Sequence, residues 1–343
     1  MESKKQVVAF LGPKASYTHQ ATTNIFPEAS YKLIPQTSIK EIFATVQHCS
    51  SGFGVVPFEN SSNGPVVFTL DLFADVHGQY PDILVSDEIY LPVHHCLLGR
   101  LSKTGSKEPP LQSPTTHSIA SRALGESAVS TSGSVTPTQS APRPAEPRVK
   151  PSHDLSHIKK LYSHPQTWGQ CKIFLSTYLK NVEQQDVSST SKAAELVAQD
   201  ETGTSAAISS KIAAEMNGLS VLAEGMEDFE GNSTRFFILR RKEDVLDEAD
   251  EAEAYKSLVS FTVDHTQPGA LARCLGVFGQ VGLNLTSINS RPVGSPWHYI
   301  FFVEFEGRIR KDGEGGAVNE ALGELTKVAK EWRWLGSWKA WKG

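Results

Sequence analysis

The chain has 343 residues, which as a soft prior indicates two domains, and its 39% hydrophobic content is enough for real cores. A net charge of -5 without a dominant basic patch argues against a nucleic-acid partner. The four cysteines are far apart and form no CxxC pair, so neither a zinc knuckle nor a disulfide framework is indicated. No apolar run approaches ~20 residues, and the polar N-terminus predicts no signal or transit peptide. These features favour a cytosolic globular protein with reduced thiols.

The N-terminal part alternates between strand and helix patterns. An apolar strand at 7–11 is followed by Gly12-Pro13, and Ser16 is placed to cap a helix over 17–26. The stretch around these residues lacks the GK[ST] of a P-loop, so it does not predict nucleotide binding. Further strands and helices are predicted at 39–46, 53–58, 83–85 and 89–98. The alternation predicts an α/β domain with parallel strands.

Two short polar stretches interrupt otherwise apolar sequence, at 59–64 and 231–236. The first lies between a buried strand and a helical pattern, where backbone N–H groups and serine hydroxyls can point at an anion. The second enters an apolar run at 236–239 that predicts a strand. We expect both stretches to line one pocket that binds a small carboxylic acid.

The middle of the chain begins with a change of composition. From 102 to 152 Pro, Ser and Thr are abundant and large apolar residues nearly vanish, which predicts a disordered surface insert. Order resumes with a strand at 158–162, the polar turn Ser163-His164-Pro165-Gln166 and a helical face extending to Tyr178. Further elements are predicted at 193–198, 206–208 and 209–216.

An acidic linker at 243–256 predicts a domain boundary. Beyond it, strand patterns alternate with a helix opening at 268–271 and a C-terminal helix over 318–332. The resulting β-α-β-β-α order is that of a ferredoxin-like α+β domain. Four tryptophans near the C-terminus favour packing or a dimer contact over a ligand site: Trp332, Trp334, Trp338 and Trp341.

Four motifs in this order resemble prephenate dehydratase: Gly12-Pro13 with Ser16-Tyr17-Thr18-His19, then Val56-Pro57-Phe58-Glu59-Asn60-Ser61, Ser163-His164-Pro165-Gln166 and Asn232-Ser233-Thr234-Arg235-Phe236. The tail, with Gly269-Ala270-Leu271 and Ser290-Arg291-Pro292, resembles the ACT regulatory domain of the same enzymes. Asn289 stands where that family has Glu in its Glu-Ser-Arg-Pro effector motif. The long insert is similar to that of a fungal-type member.

The resemblance implies a catalytic domain of two α/β lobes, similar to bilobal periplasmic binding proteins, with the substrate in the cleft. We expect the first lobe to comprise 6–98 and 205–242, the second 155–204, and the ACT domain 257–343. It implies that prephenate is converted into phenylpyruvate, water and carbon dioxide without a metal or organic cofactor. It also implies feedback inhibition by L-phenylalanine in a homodimer or homotetramer joined through ACT domains.

The same family gives the central catalytic role to the Thr of Thr-Arg-Phe, here Thr234, and we predict Asn60 and Gln166 as its catalytic partners. The predicted substrate-binding residues are Glu59, Ser61, Ser62, Gly64, Ser163, His164, Arg235 and Phe236. The predicted phenylalanine-binding residues are Gly269, Ala270, Leu271, Asn289, Ser290, Arg291 and Pro292.

Several of these assignments have alternatives. Arg235 either supplies a fork to a substrate carboxylate or ties the lobes together. Glu59 is either a catalytic base or a buried structural partner. His94-His95-Cys96 does not favour a metal site, because adjacent strand residues face opposite sides. For the whole chain, the rivals are arogenate dehydratase and a non-catalytic amino-acid sensor.

Overall fold

The computed structural model describes residues 5–101, 146–242, 254–294, 296–310 and 315–341. The chain divides into a first unit of residues 1–93 and 231–343 and a second unit of residues 94–230. In the described residues the first unit contains two sheets, here called the N-terminal sheet and the C-terminal sheet. The second unit contains one sheet, the middle sheet.

The elements follow one another in three runs. The first run belongs to the first unit: β1 (Gln6–Leu11), α1 (Tyr17–Ile25), β2 (Tyr31–Gln36), α2 (Ile39–Gln47), β3 (Phe53–Asn60), β4 (Gly64–Pro65), α3 (Val67–Ala74) and β5 (Ile83–Pro92). The next run belongs to the second unit: β6 (Cys96–Gly99), β7 (Lys160–Ser163), α4 (Pro165–Gln170), α5 (Lys172–Tyr178), β8 (Glu183–Asp186), α6 (Thr190–Gln199), β9 (Ser205–Ser209), α7 (Lys211–Asn217) and β10 (Ser220–Glu224). The last run returns to the first unit: β11 (Ser233–Arg241), β12 (Tyr255–Thr262), α8 (Ala270–Gln280), β13 (Leu285–Pro292), β14 (Tyr299–Glu306), α9 (Ala317–Val328) and β15 (Glu331–Lys339).

The N-terminal sheet has the strand order β2-β1-β3-β11-β5, with β4 beside β3. β1 is parallel to β2 and β3, but β11 is antiparallel to both of its neighbours. The predicted parallel strands are confirmed for β1, β2 and β3, but β11 is antiparallel, because it comes from a distant part of the chain and enters between β3 and β5 in the opposite direction. Its register places Thr234 opposite Asn60.

Local sequence signals explain the helices that flank this sheet. Ser16 caps α1, as predicted, by accepting a hydrogen bond from the His19 N–H at 3.2 Å. α2 begins after Ser38 in the same way and buries Ile42, Phe43 and Val46 against the sheet. Helical spacing of apolar residues and a hydroxyl cap are sufficient to define both helices.

The middle sheet has the order β10-β6-β9-β7-β8. β7 is parallel to β8 and β9, whereas β6 is antiparallel to β9 and β10. The predicted lobe boundaries are wrong here, because β6, β9 and β10 belong to this sheet rather than to the first unit. A buried strand has the same apolar composition in either sheet, so its local pattern does not reveal which partner it joins.

Most of the predicted insert, 102–145, lies outside the described residues. Its C-terminal end is described and packs on the second unit. The Val149 side chain contacts the core of that unit, and the Ser152 N–H donates to the Leu222 carbonyl at 2.8 Å. Arg148 forms an ion pair with Glu227 at 3.7 Å. The prediction of an insert reaching 152 is therefore wrong at this end, where an apolar contact and an ion pair hold the chain.

The C-terminal sheet has the antiparallel order β13-β14-β12-β15. The predicted β-α-β-β-α order is present and is completed by β15. The helix predicted to reach Trp332 ends at Val328, and β15 follows it. Trp332 and Trp334 pack toward the helix-covered core, whereas Trp338, beyond a bulge in the pairing of β15 with β12, lies in the core on the opposite face.

The opposite face of the C-terminal sheet completes a core with the N-terminal sheet. Leu258, Phe302 and Trp338 lie in the same buried cluster as Phe43 and Phe237. The two sheets of the first unit are thus joined by apolar packing. Residues 243–253 of the predicted linker lie outside the described residues, and β12 already begins at Tyr255. No helix in the described parts of the chain is long and apolar enough to cross a bilayer.

Candidate active site

The two polar stretches meet in the first unit, at adjoining ends of β3 and β11. The Ser61 N–H donates to the Ser233 carbonyl, and the Ser233 N–H donates to the Ser61 hydroxyl oxygen, both at 2.9 Å. The Ser61 hydroxyl in turn donates to the Gly231 carbonyl at 3.2 Å. These bonds extend the strand pairing beyond Asn60 and hold the two stretches together, as expected from the sequence.

Asn60 is at the centre of this polar network. Its Oδ1 accepts the backbone N–H groups of Ser62 and Asn63, each at 3.0 Å, which fixes which end of the amide is oxygen. Its Nδ2 lies 2.9 Å from the Asn232 Oδ1, 3.0 Å from the Thr234 Oγ1 and 3.1 Å from the Ser233 carbonyl oxygen. The amide therefore donates to the threonine hydroxyl, and the threonine proton stays available for another acceptor.

The turn after β3 differs in one respect from the expected anion cradle. The N–H groups of Ser62 and Asn63 both donate to the Asn60 side chain, so neither of them points at a ligand. Gly64 has a φ of 77°, a left-handed conformation that favours glycine. Among the described residues, the exposed Ser62 hydroxyl has one long bond of 3.4 Å, to the Asn232 Oδ1. The polar groups that this turn offers to a ligand therefore come from neutral side chains more than from its backbone amides.

Asn232 is a member of the network that was not among the predicted site residues. It is buried, and its Oδ1 accepts from both the Asn60 amide and the Ser62 hydroxyl. It lies two residues before Thr234 in the second polar stretch, so its position in that stretch was the available signal. Glu59 is half-buried, and its carboxylate has no hydrogen-bond partner among the described residues.

The prediction that Arg235 binds substrate is wrong. The side chain is only 6% exposed, and its guanidinium contacts the Glu88 carboxylate at 2.5 Å and the Glu304 carboxylate at 2.6 Å. Alternation along β11 turns it to the face opposite Thr234. Arg235 thus joins the N-terminal sheet to the C-terminal sheet within the first unit. Phe236 is also wrong as a substrate contact, because it is buried in the apolar core.

Lys256 completes the buried ion cluster around Arg235, which we define as Glu88, Arg235, Lys256 and Glu304. Its ammonium lies 3.2 Å from Glu88 and 3.6 Å from Glu304. Burial by itself raises the pKa of Glu88, but Arg235, the Trp341 N–H and Lys256 outweigh it and bring that pKa below the ordinary value. Two cations and two carboxylates leave the cluster formally neutral, so no charge remains uncompensated.

The polar turn before α4 is in the second unit. Ser163 is buried and donates its hydroxyl to the Ile208 carbonyl at 2.9 Å, so its predicted role as a substrate ligand is wrong. His164 caps α4, with its Nδ1 3.4 Å from the Gln166 N–H. The Gln166 side chain is exposed in the first turn of that helix. The convergence of Gln166 with Thr234 stays a prediction.

The predicted effector residues lie in two places of the C-terminal part of the first unit. Gly269 precedes α8 with a φ of 74°, and Ala270 and Leu271 form the first turn of that helix. The other four lie on β13: Asn289, Ser290, Arg291 and Pro292. Arg291 forms a fork with Asp71 of α3, with its Nε 2.6 Å from Oδ1 and its second nitrogen 3.1 Å from Oδ2. α3 follows the polar turn after β3, so this motif contacts the element next to the site.

His94 and His95 have different partners in the second unit. The His94 Nδ1 lies 3.0 Å from Glu227, and the His95 Nε2 lies 2.7 Å from the Gln170 Oε1. Burial lowers the pKa of His95 and favours a neutral ring. In the described residues, no group of three or more His, Cys, Asp or Glu side chains has the arrangement of a metal site.

A family model and several relatives match this chain. The profile of the prephenate dehydratase family matches residues 8–117 and 148–244. A probable prephenate dehydratase of Saccharomyces cerevisiae is 30% identical over 338 residues, which cover 89% of this chain and 88% of the yeast protein. A bifunctional chorismate mutase/prephenate dehydratase of Aquifex aeolicus is 30% identical over 336 residues, covering 98% of this chain and 74% of that protein.

A solved structure agrees with these sequence relatives. The prephenate dehydratase of Arthrobacter aurescens, in complex with L-Phe, matches with a TM-score of 0.72 and 27% identity. The match covers 97% of this chain and 89% of that chain. Similarity therefore extends over nearly the whole chain, including its C-terminal sheet.

Proposed function

Because the chain belongs to the prephenate dehydratase family, we propose that it converts prephenate into phenylpyruvate, water and carbon dioxide, the step that precedes formation of L-phenylalanine. The observation that carries this proposal is the 3.0 Å contact between the Asn60 Nδ2 and the Thr234 Oγ1 where the two polar stretches meet. It supports a role for the Thr234 hydroxyl as a hydrogen-bond donor to the substrate.

The reaction requires a hydroxyl to leave a ring that loses a carboxylate. The C–C bond to the carboxylate breaks, its electron pair enters the ring, and the C–O bond to the hydroxyl breaks as the ring becomes aromatic. The departing oxygen takes one proton, which is supplied in the end by solvent, and leaves as water. A threonine hydroxyl is too weak an acid to give up its proton in the ground state. Thr234 therefore donates a hydrogen bond that strengthens as negative charge develops on that oxygen.

The Asn60 amide strengthens this donor. Its N–H occupies a lone pair of the Thr234 oxygen, which polarises the hydroxyl and points its hydrogen away from Asn60. Asn60 is itself held by two backbone N–H groups and by Asn232. A donor that is already oriented needs no rearrangement when the C–O bond breaks, which is the basis of electrostatic preorganisation.

Substrate carboxylates are held by neutral groups in this proposal. Ser62, Gly64, His164 and Gln166 are the candidates, because each of them is at least partly exposed. Gln166 acts with Asn60 and Thr234 as the third catalytic residue. Glu59 lies close in the chain to Asn60 and is the candidate for moving a proton to or from this network.

For the C-terminal part we propose an ACT domain that binds L-phenylalanine and inhibits the reaction. Its support is the βαββαβ order and the left-handed Gly269 before α8, where backbone can approach a ligand closely. The Arthrobacter relative was solved in complex with L-Phe. The proposed effector residues are Gly269, Ala270 and Leu271 at the start of α8 and residues 289–292 on β13. The proposed enzyme is a cytoplasmic, fungal-type homodimer or homotetramer.

The purified full chain is assayed with prephenate and with arogenate, and product is followed by mass spectrometry. We expect phenylpyruvate from prephenate, and Thr234→Ala to lose most turnover while prephenate binding persists in a titration. Thr234→Ser is the matched control, since it keeps the hydroxyl and should keep much of the activity. A preference for arogenate would mean that arogenate, and not prephenate, is the substrate. Binding without turnover in the parent chain would indicate an amino-acid sensor instead.

A further inference from the structure

The strands that carry Asn60 and Thr234 are irregular beside this pair. The β11–β3 ladder pairs Arg235 with Glu59 but Phe236 with Pro57, so Phe58 is an extra residue on β3. Such a bulge locally disrupts the ladder that would otherwise hold two strands in register. The position of Thr234 relative to Asn60 therefore depends on something besides regular backbone pairing.

The Arg235 side chain bridges the irregular region. Its guanidinium lies 5.4 Å from the ring centre of Phe58, the bulged residue, and 4.8 Å from that of Phe237. It also binds Glu88 on β5, the other neighbour of β11. One group thus contacts β3 and β5 while belonging to β11, directly beside Thr234.

The guanidinium also binds Glu304 on β14, and we propose that Glu304 is a positioning residue for Thr234, acting through Arg235. This inference rests on the proposed function, because it assigns Thr234 to the chemical step. Glu304 is 2% exposed and lies on the C-terminal sheet, so its effect on turnover passes through the guanidinium. Neutralising Glu304 releases one arm of Arg235 and loosens the bulged strands.

Glu304 also connects this path to the strand that carries the effector motif. Its Oε1 accepts a hydrogen bond at 2.9 Å from the hydroxyl of Thr286 on β13. Residues 289–292 lie further along the same strand. A shift of β13 against β14 consequently changes the carboxylate that holds Arg235, which gives the C-terminal sheet a physical route to Thr234.

The test is a double-mutant cycle on prephenate turnover with Glu304→Gln and Thr234→Ala in the full chain. Glu304→Gln keeps the size and one oxygen acceptor but removes the charge. We expect it to lower kcat about tenfold and to change KM by less than about twofold, since the effect is on the chemical step. In the Thr234→Ala background the same substitution should lower kcat by less than about twofold, because the group it positions is already gone.

Two further variants separate positioning from loss of folding. Glu306→Gln, on the same strand but exposed, should leave kcat and Tm at their parent values. Thr286→Val removes the hydrogen bond to Glu304 and should lower kcat a few-fold with Tm nearly unchanged. This variant therefore tests the role of Glu304 even if Glu304→Gln folds poorly. An equal factor of kcat loss in both Thr234 backgrounds, or Thr286→Val with parent kcat, would overturn the proposal. Turnover of prephenate by the unsubstituted chain tests the proposed function separately.

Discussion

Thr234 and Arg235 are neighbours on β11, yet their surroundings are opposite in kind. Thr234 is partly exposed in a network of neutral amides and hydroxyls, whereas Arg235 is buried among two carboxylates and four aromatic rings. The neutral network retains polar groups that a diacid can bind. The ion cluster has satisfied its charges internally and has none to offer. A single motif therefore supplies the residue that we propose for the chemical step and, next to it, a residue that holds the structure.

The largest expected effect comes from removing the cation of the cluster. Arg235→Ala leaves Glu88 and Glu304 buried, with Lys256 as their one charged partner among the described residues, and we expect a loss of about 3–5 kcal/mol in the free energy of unfolding. Denaturant unfolding followed by tryptophan fluorescence measures it, because Trp338 lies beside the guanidinium at 5.9 Å. Arg291→Ala is the control, since it removes a more exposed pair and should cost less than about 1 kcal/mol. Equal losses for the two variants would mean that the buried ion cluster contributes no more to stability than the more exposed pair.

The next effect is on the neutral side of β11. Asn60→Asp keeps the oxygen that accepts the N–H groups of Ser62 and Asn63 but removes the donor to Thr234. It also adds a negative charge where a dianion must bind. We expect kcat to fall by about 10²–10³, the range for losing one preorganised donor. Thermal unfolding should change little, which separates this variant from Arg235→Ala.

Asn63→Asp is the matched control for Asn60→Asp. Its side chain is exposed on the same turn, and only its backbone N–H contacts Asn60. A comparable charge is added nearby without removing the donor. We expect kcat within a few-fold of the parent value. A similar large loss in both variants would mean that charge near the turn, and not the Asn60 donor, controls turnover.

Much of the neutral site could be predicted from the sequence. Local signals predicted β1, α1 and β3, and the two polar stretches were expected to meet, as they do around Asn60. Arg235 was expected either to bind a substrate carboxylate or to tie the lobes together, and neither alternative named its partners Glu88 and Glu304, which come from other parts of the chain. A charged residue in an apolar strand shows that a partner is needed, but the local pattern does not name it.

The sheet assignments failed for a similar reason. β9 reads as a buried strand wherever it is placed, and only its pairing with β6 and β7 puts it in the second unit. The predicted C-terminal helix extended to Trp332, into the start of β15. Trp332, Trp334 and Trp338 are separated by even numbers of residues, which is a strand pattern. A bulge between the pairs formed by Leu258 and Val259 allows Trp338 to face the opposite core. Long-range pairing and bulges are properties of the assembled sheet.

The smallest effect expected is the pH dependence contributed by Glu88. The pKa of Glu88 is lower in the folded protein than its ordinary value of 4.5. The unfolded chain therefore takes up a proton at a pH where the folded carboxylate remains ionised, so the unfolded state gains stability as the pH falls. The contribution of Glu88 to folding is fully present above about pH 4.5 and is lost as the pH falls through the folded pKa.

Acid unfolding of the parent and of Glu88→Gln measures this contribution. Glu88→Gln should be less stable at neutral pH, because Arg235 and Lys256 lose a counter-charge, but its stability should fall less steeply below pH 4.5. Glu306→Gln, exposed on β14, should keep the parent slope. If Glu88→Gln also kept that slope, the carboxylate would not be ionised against the two cations, and the contrast between a compensated charge cluster and a neutral catalytic network would lose its electrostatic basis.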